Sequence, residues 1–321
     1  MDLQGVKFDG WPHIMFSQQF NRPWLEKYFF PLVDQMERVF ETGVCNVLKG
    51  KRMVILFYEP STRTRASFKF AMNHLAGDVV FETENAREFS SGAKGESLKH
   101  TIKVLNRYRP DVIVLRYDRE IGAEIAAEIS DIPIMNAGDR NPGQHPTQAL
   151  LDTRTIKKCR GEIDGLNIAM VGDLKNGRTV RSLSYLLGKF EGISINFVSP
   201  KKSAIGNDVK EYLLRHKVEF KESTDLRKVA PSTDCIYQTR TQKECGPSFD
   251  RKDDNGGYYV VDKTIMDMLR QDAIVMHPLP INDEITSEVD DDPRSVYLTH
   301  QVDSGLFTRM ALLKMILAPK S

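Results

Sequence analysis

Short apolar, β-branched runs recur along this chain, each followed by a stretch with apolar residues at helical spacing. That alternation is the strongest constraint on how the chain can fold. The runs are Met53–Phe57, Asp111–Leu115, Asn167–Val171, Ser194–Val198, Cys235–Gln238 and Ala273–Met276. Between them lie amphipathic stretches such as Thr62–Leu75, Leu98–Arg107, Gly122–Ile129, Pro146–Lys157, Val180–Lys189 and Val209–Arg215. Strand, helix, strand at this spacing predicts parallel sheets with helical crossovers. Runs of Val, Ile and Leu without polar alternation predict sheets covered on both faces.

The chain has 321 residues, above the size at which a single core stops growing, so two domains are expected. The turn-rich stretch Asn136–Pro146 is the expected boundary, because the βα pattern restarts on either side of it. Ser304–Leu317 reads as a helix with Leu306, Met310, Leu313 and Leu317 down one face. The fold expected is α/β: two Rossmann-like domains, each a parallel sheet flanked by helices, with ligands in the interdomain cleft at strand C-termini. Residues 1–145 with 304–321 would form the first domain, and 146–303 the second.

Lys plus Arg (45) nearly cancel Asp plus Glu (44), so no global field favours nucleic acid or a membrane surface. Cys45, Cys159, Cys235 and Cys245 lack any CxxC spacing, which argues against zinc and a disulfide framework and for reduced thiols. The first thirty residues show no apolar h-region, and no run reaches membrane-spanning length, so a cytoplasmic protein is expected.

Anion handling must therefore come from local clusters. FYEPSTRTR (57–65) follows a predicted strand, with Ser61 as N-cap and Thr62 onward helical in pattern. A helix start offers unpaired N–H groups and a positive dipole end to a phosphate. Ser61, Thr62 and Thr64 add hydroxyls and Arg63 a charged fork. No GxxxxGK[ST] is present, so a nucleoside triphosphate is not implied. Arg116 ends a strand, where a side chain enters a ligand crevice or pairs with Asp118. HPTQ (145–148) puts Pro146 at a first helical position, with His145 before it and Gln148 one turn on. In the second half, GDLKNGRTVRS (172–182) places Arg178 in a loop after a strand, and RTQKE (240–244) places Arg240 after another. Two such arginines suit a dicarboxylate. HPLP (277–280) follows the last strand.

STRTR after a strand, with HPTQ, RTQKE and HPLP in order, resembles the transcarbamoylase family and within it the aspartate branch. The resemblance implies transfer of the carbamoyl group of carbamoyl phosphate to the α-amino group of L-aspartate, with no metal and no cofactor. It assigns the phosphate to Ser61, Thr62, Arg63, Thr64 and Arg116, and the carbamoyl oxygen to Thr64, Arg116 and His145. The carbamoyl NH2 goes to Gln148 and the carbonyls of Pro278 and Leu279. Aspartate falls to Arg178, Arg240, Gln242, Leu279 and Pro280. It implies a cis peptide at Leu279–Pro280, and a cyclic homotrimer in which Ser90 and Lys94, from EFSSGAK (88–94), reach the adjoining subunit's site, Lys94 meeting aspartate as well.

ENAREFSS (84–91), NGRTVRS and GLFTRMALLK look most similar to plant-type members, which act as stand-alone trimers inhibited by uridine monophosphate. A separate regulatory chain stays open. Two positions depart from the family pattern, Ile281 and Cys245 standing where arginines are usual. The expectation is a protein that closes less firmly and binds aspartate more weakly. A carbamoyltransferase for ornithine or another amino acid, and a non-catalytic carbamoyl phosphate-binding paralogue, remain alternatives. GDLKNG lacks GxGxxG, which disfavours a dinucleotide oxidoreductase.

Overall fold

The computed structural model describes residues 13–43, 45–119, 121–140, 143–240 and 259–318. The chain forms two compact units, one running to Leu151 and taking in the chain from Ser304 onward, the other Asp152–Asp303. The division falls inside a helix rather than in the Asn136–Pro146 turn before it.

The first unit holds the strands β1 (Arg52–Phe57), β2 (Asp78–Thr83), β3 (Val112–Arg116) and β4 (Ile134–Asn136), in the order β2-β1-β3-β4 with every pair parallel. A helical turn α1 (Arg22–Trp24), with Asn21 accepting from the Trp24 N–H at 2.9 Å, runs through a π turn into α2 (Phe30–Thr42). The crossovers are α3 (Thr62–His74), the single turn α4 (Ala86–Phe89), α5 (Leu98–Tyr108) and α6 (Gly122–Ile129). Val54, Leu56, Ile113 and Leu115 point to one face and pack with Leu98, Ile102 and Leu105 of α5 and with Ala123 and Ala126 of α6. Met53, Ile55 and Phe57 alternate to the other face and are also buried, so β1 reads as an unbroken apolar run. Each such buried side chain contributes about 1.5–3 kcal/mol.

Helix α7 (Pro146–Arg160) leads into the second unit. There the strands β5 (Asn167–Val171), β6 (Ser194–Val198), β7 (Glu219–Ser223), β8 (Cys235–Gln238) and β9 (Ile274–Met276) lie in the order β7-β6-β5-β8-β9, again all parallel. The helices are α8 (Arg178–Leu187), α9 (Asn207–Arg215) and α10 (Lys263–Met268), and α11 (His300–Leu317) starts at the end of this unit and belongs to the first from Ser304 onward. Ala169, Val171, Ile236 and Val275 pack with Ile265 and Met266 of α10.

The sequence reading passed over β2, β4 and β7. Two are edge strands with half or more of their side chains toward solvent, and β4 has three residues, so none carries a long apolar run. Two helical turns occupy 86–94, where Ala86 is fully buried beside Leu98 and Ile102, although the polar run Glu88–Lys94 by itself reads as a surface loop. Among the described residues no helix is long and apolar enough to cross a membrane, and no group of three His, Cys, Asp or Glu could hold a metal ion.

Candidate active site

Parallel strands put all their C-terminal ends at one sheet edge. In the first unit the register pairs Phe57 with Arg116, Leu56 with Thr83 and Leu115 with Asn136. The segments leaving that edge are those the sequence singled out. STRTR follows β1, the 84–94 turns follow β2, Arg116 ends β3 and HPTQ follows β4. β1 connects outward on one side and β3 on the other, so STRTR and Arg116 flank the point where strand order reverses, the usual ligand position in such sheets.

Ser61 occupies the N-cap position of α3, but its side chain makes no capping bond. The N-cap expectation therefore holds for the backbone, through Arg65 N–H to Ser61 O at 3.1 Å, and not for the hydroxyl. Thr62, Arg63 and Thr64 are the first three helical residues, whose N–H groups lack intrahelical acceptors. Arg63 is exposed and Thr64 is buried. Arg65 turns away to Glu84 at 3.0 Å.

Arg116 does not pair with Asp118. Arg87 takes both Asp118 oxygens at 2.6 Å each. The Arg116 side chain, 11% exposed, donates to Ala137 O at 3.2 Å and lies 3.5 Å from Glu59, which also meets Arg140 at 3.8 Å. Glu59 and, through it, Arg140 are thus neighbours that the motif reading did not place beside Arg116. His145 is buried, with its Nδ1 3.3 Å from Thr147 Oγ1. Its carbonyl accepts from the Gln148 and Ala149 N–H groups at 3.0 and 3.2 Å, so His145 caps α7 and Pro146 is its first residue, as the sequence predicts. Gln148 is buried one turn on.

The Ser90 hydroxyl donates to Ala86 O at 2.7 Å, and Lys94 is exposed. Gly92 permits this fold, since a Cβ there would stand 2.6 Å from Ala86 O and 3.2 Å from the Tyr58 ring.

In the second unit Arg178 follows β5, Arg240 follows β8 and Pro278–Pro280 follow β9, three neighbouring strands. Arg178 is the first residue of α8 rather than a loop residue, because Gly177 already serves as N-cap. Gly172, at φ 120°, lets the end of β5 lie against Thr239, where a Cβ would meet Thr239 O at 2.3 Å. Thr239 is tied back by its N–H and hydroxyl to Val171 O at 2.8 and 2.9 Å. Gln242, Glu244 and Cys245 lie outside the described residues.

The Leu279–Pro280 peptide is cis, as expected, and Leu279 has φ 55°. The Leu279 N–H donates to His277 Nδ1 at 2.8 Å, so that nitrogen carries no proton, and Nε2–H faces Glu284 Oε1 at 2.9 Å. Burial opposes the charge on Glu284, but the bond to His277 and the Asn282 N–H outweigh it, and the carboxyl lies below its ordinary value. Ile281 packs with Leu279 against the core of this unit, so apolar contact stands where the family usually has a guanidinium.

The first unit's strand ends thus carry the buried donors Thr64, His145 and Gln148 with the mostly covered Arg116 and the exposed Arg63, a set suited to a phosphate-bearing ligand and a carbonyl that gains charge. The family description "Aspartate/ornithine carbamoyltransferase, carbamoyl-P binding domain" matches residues 13–158, and "Asp/Orn binding domain" of the same family matches 164–316. The chain is 50% identical over 308 residues to the chloroplastic aspartate carbamoyltransferase of Oryza sativa, covering 94% of this chain and 84% of that one. It is similar to the aspartate transcarbamoylase of Trypanosoma cruzi in complex with carbamoyl phosphate and aspartate, with a TM-score of 0.87, 38% identity, and coverage of 95% and 97%. The same enzyme with carbamoyl aspartate and phosphate aligns with a TM-score of 0.86 at 39% identity, covering 95% and 96%. With both halves matched in order over nearly all of its described length, the chain belongs to the aspartate/ornithine carbamoyltransferase family.

Proposed function

We propose that this enzyme transfers the carbamoyl group of carbamoyl phosphate to the α-amino group of L-aspartate, releasing N-carbamoyl-L-aspartate and phosphate. The observation that carries the reading is the gathering of buried Thr64, His145 and Gln148 and the mostly covered Arg116 at or beyond the C-terminal strand edge of the first unit. Together they offer several donors at one sheet edge, as a phosphate and a carbonyl oxygen that gains charge would need.

The roles follow from the chemistry. Ser61, the Thr62–Thr64 amides, Arg63 and Arg116 neutralise the phosphate. The amine attacks the sp2 carbon, a C–N bond forms, and charge gathers on the carbonyl oxygen beside Thr64, Arg116 and His145. One such donor is worth about 3–4 kcal/mol. Collapse breaks the C–O bond to phosphate, which leaves with the electron pair and takes up the proton the amine gives up. Gln148 and the carbonyls of Pro278 and Leu279 accept from the carbamoyl NH2. Arg178 holds one carboxylate of aspartate and Arg240, with Gln242, the other, while Leu279 and Pro280 border it.

A cyclic trimer, with Ser90 and Lys94 serving the adjoining subunit, belongs to the same proposal. Its support is the exposed apolar surface of Phe81 (46%), Phe89 (83%) and Tyr108 (71%). Phe81 and Tyr108 also line a cavity of about 560 Å³ with Val80 and Ser90. A reducing, cytosol-like compartment is proposed on the free thiols of Cys45, Cys159 and Cys235, and uridine monophosphate as a competitor of carbamoyl phosphate.

A phosphate-release assay offering aspartate and ornithine side by side tests the function. Turnover with aspartate alone is expected. Turnover with ornithine, or none with either, overturns it, and sedimentation of the purified chain decides the trimer.

A further inference from the structure

We propose that Gln301, Asp152 and Tyr237 are positioning residues for the transfer, a buried chain of hydrogen bonds that sets the spacing between the Pro278–Pro280 loop, the end of β8 and the start of α8. The proposal rests on the transferase reading and names residues that none of its motifs contains.

The chain starts at the loop. The His277 N–H donates to Gln301 Oε1 at 2.9 Å, and Gln301 Nε2 donates to Asp152 Oδ1 at 2.7 Å. The other oxygen of that carboxylate accepts the Tyr237 hydroxyl at 2.7 Å. The Thr179 side chain also hydrogen-bonds the Tyr237 phenol. Asp152 and Tyr237 are 0% exposed, His277 1% and Gln301 3%.

Each end of this chain lies next to a substrate group. His277 precedes the two carbonyls assigned to the carbamoyl NH2 and also holds Leu279 through Nδ1. Tyr237 lies on β8, whose continuation carries Arg240, and Thr179 follows Arg178 at the start of α8. The polarity admits one arrangement. Asp152 only accepts, so the Gln301 NH2 must face it, which leaves the Gln301 carbonyl for the His277 N–H. Such a network holds distances more tightly than apolar packing does. For stability alone it is a poor choice, because apolar residues of similar volume often replace buried polar sets at no loss. What it adds is a fixed separation between two arginines and two carbonyls that act on one reaction, where an error near 1 Å costs about a hundredfold in rate.

The test uses the full-length chain with Tyr237→Phe, Gln301→Leu and both together. Phosphate release from carbamoyl phosphate and aspartate, binding of inorganic phosphate by calorimetry, and the thermal midpoint are measured for each. Each single variant should lose about ten- to a hundredfold in kcat. Inorganic phosphate, which has no NH2 for the loop to read, should bind within about twofold of wild type. The double variant should be little worse than the poorer single, because both cut the same chain. Tyr237→Phe removes one hydroxyl and carries the test if Gln301→Leu does not fold. The proposal is overturned if kcat stays within twofold while only the thermal midpoint falls, if phosphate affinity falls in step with kcat, or if the two losses multiply. A wild-type chain that releases no phosphate with aspartate instead removes the transferase reading, a result separable from these.

Discussion

Glu59 Oε2 stands 3.5 Å from Arg116 Nε, which makes a carboxylate the near neighbour of the cation that the phosphate is proposed to use. The other oxygen of Glu59 reaches Arg140, so one negative charge is divided between two guanidiniums. An incoming dianion meets a site already partly neutralised. Glu59→Gln should therefore tighten inorganic phosphate severalfold, on the order of 1 kcal/mol for one charge removed at close range in a partly screened site. Calorimetric titration at two salt concentrations checks this. Weaker phosphate binding in the variant would show that Glu59 holds Arg116 in place rather than competing for it.

Arg116→Lys keeps the charge and loses the planar fork. Because a point charge cannot serve both Ala137 O and a ligand in the observed geometry, kcat should fall about a hundredfold or more. Steady-state kinetics with both substrates varied would measure it, and a rate within threefold of wild type would remove Arg116 from the proposed oxyanion donors.

At Gly172 the constraint is steric. A Cβ would meet Thr239 O at 2.3 Å, next to Arg240 in sequence and at the strand end that leads to Arg178. Gly172→Ala should raise the KM for aspartate by about tenfold or more while leaving carbamoyl phosphate binding by the first unit nearly unchanged, since a φ of 120° is also strained for alanine. Equal losses for both substrates would point to general unfolding.

The His277–Glu284 pair gives a pH prediction. The Glu284 carboxyl is lowered from its usual 4.5 in the folded chain. A depressed carboxyl adds stability that is present above the unfolded value and is lost as pH falls through the folded one. The loss therefore lies below about pH 4.5. Glu284→Gln should be less stable than wild type at neutral pH, and the gap should narrow as the medium is acidified. Thermal midpoints between pH 7 and pH 3 would show it, and a gap of constant size would exclude Glu284 as its source.

The strand-end positions of the candidate site residues were more legible in the sequence than the sheets were. STRTR, Arg116, HPTQ and HPLP sit where apolar runs stop, and a parallel sheet turns that sequence position into a shared edge in space. The central strands were legible for the same reason, since burial on both faces makes β1, β3, β5 and β8 apolar along the runs Met53–Phe57, Val112–Leu115, Ile168–Val171 and Cys235–Tyr237. Glu219–Ser223 reads EFKES, and nothing in that pattern separates an edge strand from a loop. The contacts least visible beforehand were those between distant residues. Asp152 and Gln301 are 149 residues apart, and neither belongs to a motif, so only the folded chain shows that they meet. Ile281 stood out as a missing charge, and its actual partner, the core of the second unit, could not be read from its neighbours in sequence.

Helix α11 closes the first unit with the last part of the chain. Its Arg309 guanidinium lies 5.1 Å from the centre of the Phe68 ring on α3, the helix that STRTR begins, and Phe307 meets Phe40 at 5.5 Å. The helix that begins at STRTR is thus backed in part by a segment that the chain supplies only after the whole second unit. Removing α11 would strip Phe68 of its Arg309 contact, so the order of the helix that STRTR begins depends on residues that follow the entire second unit.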